Sequence, residues 1–171
     1  LFAVLFAAGL SYFACADEAE SPQPKDYYGK IAVRMANTLT RCHVLQSPLD
    51  DAISRKAWTN LVTFYDYDHS VFLKEDLDRL AAHETTLDDE VQSGDVSFGY
   101  DVHRLFCQRL KERIDFATNL LATASFAFDG TNEVYELKRE NAPWPETKEE
   151  AEVRWTLKMK NEMLVQLISR E

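Results

Sequence analysis

Between Asp95 and Ala124 the apolar residues return in alternating four- and three-residue steps: Val96, Tyr100, His103, Cys107, Leu110, Ile114, Ala117, Leu121 and Ala124. That spacing lays all of them along one stripe of an α-helix. Arg104, Gln108, Lys111, Asp115 and Thr118 fall off the stripe. At 1.5 Å per residue the helix runs about 45 Å, longer than a compact domain of this chain length is wide. It is expected to be a spine against which shorter helices pack. Gly99 falls within its first turns and marks where the regular helix is expected to begin.

The rest of the chain supplies those shorter helices. Tyr28, Ile31, Ala32, Met35, Leu39 and Cys42 share one face of a first helix. Ser47-Pro48 interrupts it, and Asp50 or Asp51 is placed to cap a second. Ile53, Ala57, Leu61, Phe64 and Tyr65 are expected to line the second helix's buried side. Asp66 to Phe72 has no period and reads as a connector. A third helix follows with Glu75 and Asp76 in its first turn, where the macrodipole favours acids, and Leu77, Leu80 and Ala81 as core contacts. Phe128 to Trp144 reads as an irregular crossing, with Asp129-Gly130 as a turn and Ala142-Pro143-Trp144-Pro145 as a rigid stop. Ala151, Val153, Trp155, Leu157 and Met159 alternate as a strand would, but helix formers dominate from Glu149 onward, so helix is preferred. The fold class is all-α, a multi-helix domain built on one long central helix at about 95–124.

The ends suggest an exported chain. Residues 1–16 are uncharged and almost wholly apolar, too short for the roughly 20 residues a span needs, and end in Ala14-Cys15-Ala16, the form of a secretory cleavage site. We read them as a truncated signal peptide, with 17–26 as a polar linker and 27–171 as the helical domain. A buried apolar helix fits less well, because an acidic, Pro-containing stretch follows at once. Acylation at Cys15 fits poorly with Tyr12-Phe13-Ala14 before it. The helix formers at 161–171 carry no terminating Gly or Pro, so the domain is expected to be an N-terminal fragment continuing beyond 171. No stable membrane span is expected in the mature form.

Asp and Glu outnumber Lys and Arg by 29 to 19, a net charge of −10, which repels phosphate backbones and argues against nucleic acid as a partner. Of the histidines, His43, His69, His83 and His103, none forms a short-spaced ligand pair, and His103 on the apolar stripe reads as a core residue. The Asp66-Tyr67-Asp68-His69 cluster lacks the ligand spacing and Gly of a calcium loop and reads as capping of a helix–helix turn. Asp88-Asp89-Glu90 reads as a solvated acidic turn. There is no GxSxG, Gly-rich phosphate loop or CxxC, and Ser54 and Lys56, two apart on a helix, face different directions. No catalytic, cofactor-binding or metal-ligating residue is assigned, and no cofactor is expected. Cys42 and Cys107, each on an apolar helix face, either pair in an oxidising compartment or stay as two buried thiols.

Four strings follow one another in order: LTRCHVLQSPLDDAISRKAW, TNLVTFYDYDHSVFLKEDLDRL, LDDEVQSGDVSFGYDVHRLFCQRLKERIDFATNLL and FAFDGTNEVYELKRENAPWPETKEEAEVRW. With the Tyr65–Asp76 segment, the Ser93-Gly94-Asp95 turn, the Lys111-Glu112-Arg113 step, the Ala142–Pro145 stop and Trp155, the chain from Ala32 to Arg170 resembles the N-terminal helical domain of the tail-specific proteases. These are also called carboxy-terminal processing peptidases. The resemblance implies a periplasmic serine protease that cleaves proteins bearing apolar C-terminal tails, with a PDZ domain to capture the tail and a Ser/Lys dyad for the chemistry. Both would lie downstream, and the helical domain would pack beside them as a non-catalytic scaffold around the substrate. Tyr65, Tyr67, Phe72 and Trp144 are then expected to be exposed aromatics that dock on those downstream domains. The competing reading is a free-standing secreted helical module that binds proteins. A carboxylate-metal helix bundle would need Glu-x-x-His pairs, and the sequence has none.

Overall fold

A computed structural model describes residues 22–42, 48–128, 133–139 and 141–169. It contains helices α1 (Asp26–Cys42), α2 (Asp51–Tyr65), α3 (Lys74–Leu80), α4 (Leu87–Ser93), α5 (Ser97–Thr123) and α6 (Lys148–Ile168), with a 3-10 turn at Ala81–His83. Among the described residues there is no strand, so the fold is all-α. Residues 1–21, which hold the signal-like segment and the first half of the linker, lie outside the described residues, as do His43 and Asp129-Gly130. Among the described residues no helix is long and apolar enough to cross a membrane.

The chain divides into two compact units. One takes Glu20–Asp66 and Glu75–Leu105 and holds α1 to α4 with the start of α5. The other takes Tyr67–Lys74 and Phe106–Glu171 and holds the remainder of α5 with α6. α5 runs unbroken through Gly99, close to the bounds its periodicity predicts.

In the α1–α4 unit, Asp50 caps α2 by accepting from the backbone N–H groups of Ala52 and Ile53 at 3.0 and 3.1 Å, which satisfies donors the helix leaves open. α2 then buries Ser54 and Val62, with Trp58 between them donating its Nε1–H to the Leu80 carbonyl at 2.9 Å. The expected face was rotated: Ala57 is exposed and Phe64 is 80% exposed. The physical reason is polar. The Ser54 hydroxyl donates to the Asp88 carboxylate at 2.5 Å and accepts from the Asp88 N–H at 2.9 Å, and these bonds tie the Ser54–Trp58–Val62 face inward. α1 crosses α4 at two glycines. Gly94 adopts φ 87° and ends α4, its N–H reaching the Glu90 and Val91 carbonyls, a left-handed cap that glycine takes at little cost. α3 buries Leu77 and Leu80 as predicted, but Ala81 is exposed in the 3-10 turn.

In the α5–α6 unit, Thr147 caps α6 by accepting from Glu150 N–H at 3.2 Å. Ala151, Trp155 and Met159, four residues apart, form its buried stripe. Trp155 and Met159 pack with Ala117, Phe116, Leu120 and Leu121 of α5. The alternation that imitates a strand dissolves on this stripe, because Val153 is left 61% exposed.

Candidate functional site

The non-periodic segment Tyr67–Lys74 is the organising feature of the α5–α6 unit. His69 sits at φ 51°, a left-handed conformation that costs a non-glycine residue about 1 kcal/mol or more. Its contacts hold it there. The imidazole stacks on Trp144 with centroids 3.5 Å apart and planes 18° from parallel, and its Nδ1 is hydrogen-bonded to the Ala142 carbonyl. A carbonyl only accepts, so Nδ1 carries the proton. One residue earlier, the Asp68 carboxylate accepts from Ser70 Oγ and from Lys158 Nζ, each at 2.8 Å.

The segment is then stitched to both helices. Trp155 donates its indole N–H to the Ser70 carbonyl at 2.7 Å, and Lys158 lies 5.2 Å over the Trp155 ring. The wholly buried Arg113 of α5 directs its Nε–H toward the Val71 carbonyl at 3.4 Å. Phe72 meets Phe106 edge to face at 6.0 Å, and the Lys74 N–H reaches the Pro145 carbonyl at 2.8 Å. Burial by itself would raise the Asp68 carboxyl, but the Lys158 charge and hydrogen bond, the Ser70 hydroxyl and its own backbone N–H together hold it below its ordinary value. Carboxylate, imidazole, indole and guanidinium here all grip backbone or one another, which fixes an irregular turn between two helices.

The residues expected to dock do not behave alike. Tyr67 is 59% exposed, and Trp144 is half-buried under His69. Phe72 is fully buried, so its assignment as an exposed docking aromatic is corrected: the turn drives it inward against Phe106. Tyr65, in the α1–α4 unit, is half-buried at the end of α2 with its hydroxyl 3.4 Å from His103 Nδ1, and burial pushes that hydroxyl's pKa up. Cys42 is a free thiol, exposed at the last residue of α1, so it is neither bonded to Cys107 nor a buried thiol, and both expected alternatives are corrected. The stripe that carries Cys42 runs out into solvent there, while Cys107 is half-buried in α5.

The other polar candidates are structural as well. Asp66 ends α2 through its backbone N–H, bonded to Val62 O at 2.9 Å. His83 Nδ1 meets Glu90 at 2.7 Å, and Thr86 Oγ1 donates to the same carboxylate. Ser54 is buried and Lys56 exposed, pointing apart as their spacing predicts. Among the described residues no three His, Cys, Asp or Glu side chains converge as a metal set.

Sequence reasoning missed the His69–Trp144 stack, the Lys158–Asp68 pair and a concavity in the α1–α4 unit. That concavity is an apolar groove of about 490 Å³ walled by residues including Met35, Leu39, Ile53, Ala57 and Leu61. The last three are the residues expected in the α2 core; they face the groove instead.

The quoted family strings therefore supply the turn Tyr67–Lys74, Arg113, the Ala142–Pro145 stop and Trp155 to one packed cluster, and the Ser93–Asp95 turn to the α4 cap. Comparison with known proteins agrees. Residues 35–171 match the family described as tail specific protease N-terminal domain. Over 137 residues the chain is 31% identical to a tail-specific protease of Haemophilus influenzae (strain Rd), covering 79% of this chain and 19% of that protein. It thus spans about a fifth of that relative's length. Because the matched stretch reaches from the middle of α1 through α6 and takes in every residue of that cluster, the chain belongs to the tail-specific protease N-terminal domain family.

Proposed function

We propose that this chain is the non-catalytic helical scaffold of a periplasmic carboxy-terminal processing serine protease, one that trims or degrades proteins with apolar C-terminal tails. In this reading a PDZ domain and a Ser/Lys protease domain in the rest of the parent capture and cut the substrate, and residues 1–16 direct export. The observation that carries it is the fate of the family residues: His69, Arg113, Trp144 and Trp155 are committed to holding a turn. A domain whose residues in these segments build shape contributes position rather than bond cleavage. Tyr67, exposed beside this cluster, is the aromatic best placed to meet a neighbouring domain.

Hydroxyl-radical footprinting of Tyr67 and Trp144 tests this, comparing the chain of 171 residues with the longer parent. Protection of Tyr67 only in the parent is the expected result. Equal reactivity in both would remove the docking role and favour a free-standing protein-binding module.

A further inference from the structure

The exposed face of α1 carries an apolar seam and an unpaired positive edge together. Tyr27, Ile31, Met35 and Leu39 recur every four residues and are 48%, 47%, 59% and 48% exposed, though the same spacing in a packed helix would be buried. On one side the seam runs into the apolar groove, since Met35 and Leu39 also form its wall. On the other side, about 100° around the helix from Ile31 and Met35, stand Lys30 and Arg34, and Arg41 shares their shallow basin. Among the described residues none of these three cations forms an ion pair. In a chain of net charge −10, such a trio beside an open apolar seam is a directional signal.

We infer that α1 and the groove receive an amphipathic helix of a partner protein, one with an apolar face and a carboxylate-bearing flank. The apolar face lies on Ile31, Met35 and Leu39 and fills the recess towards Ile53 and Leu61. The acidic flank lies over Arg34 and Arg41. Helix-in-groove recognition of this kind uses three- and four-residue anchors for affinity and flanking charge for orientation. A membrane surface fits less well, because a bilayer does not fill a concave recess.

The test uses the full-length parent and two labelled synthetic helical peptides with the same Leu-rich face, one flanked by Glu and one by Lys, measured by fluorescence anisotropy. The Glu peptide is expected to bind at least about tenfold more tightly, a gap of about 1.4 kcal/mol. Arg34→Glu with Arg41→Glu, both surface changes, should invert that preference. Met35→Asp should weaken both peptides. Equal binding of the two peptides, binding of neither, or a preference untouched by the charge swap would overturn the inference. So would binding to phosphatidylglycerol vesicles in preference to the Glu peptide, or self-association that masks the seam.

Discussion

His69 keeps a left-handed backbone without being glycine, because Trp144 and the Ala142 carbonyl hold its ring. Removing the ring therefore costs twice, through the lost hydrogen bond and stack and through an alanine left in a conformation it disfavours. His69→Ala should lower unfolding free energy by about 2–3 kcal/mol, and His69→Gly by about 1 kcal/mol less, both read from urea midpoints. Asp68 gives a pH signature. Its folded-state pKa is depressed, so its ionised form adds stability above its unfolded value of about 4 and loses it as pH falls through the folded value. Asp68 is 39% exposed, so the effect is modest. Asp68→Asn should cost roughly 0.5–1 kcal/mol at neutral pH, and the gap from the parent should close as pH is lowered below about 4. At this scale the sequence revealed the Asp50 cap and the acidic start of α3, which depend on neighbours. It could not reveal the His69 geometry, which depends on residues far along the chain.

Helices were more legible than their faces. α5 was readable from one continuous stripe, and α6 from its helix formers, against an alternation that imitates a strand. The inward face of α2 was not, since two overlapping four-residue ladders, Ile53–Ala57–Leu61 and Ser54–Trp58–Val62, differ by one position. Hydrogen bonds from Ser54 and Trp58 to distant partners decide between them. The glycines separate two element-level roles. A Cβ on Gly29 would collide with the Gly94 carbonyl where α1 crosses α4, whereas one on Gly99 meets nothing within 4 Å. Gly29→Ala should destabilise the chain by roughly 2 kcal/mol, as overpacking does. Gly99→Ala should stabilise it by roughly 0.5–1 kcal/mol through helix propensity. Thermal melts of the two variants should move in opposite directions, and a shared direction would contradict the crossing geometry.

For the molecule as a whole, the all-α class and the family were legible. The first follows from periodicity and few glycines, the second from ordered strings that prove to be a packing cluster. The division into two units was hidden, because Tyr67–Lys74 leaves its sequence neighbours to join the C-terminal half. The groove was hidden too, since an apolar face reads the same whether it is covered or open. In the proposed function these helices hold shape while cleavage is performed elsewhere in the parent. The most direct test is turnover of a reporter protein ending in an apolar tail, by the purified chain and by the longer parent. Cleavage by the parent and none by this chain is the predicted result. Turnover by the chain alone that disappears with Ser54→Ala or Ser70→Ala would contradict it.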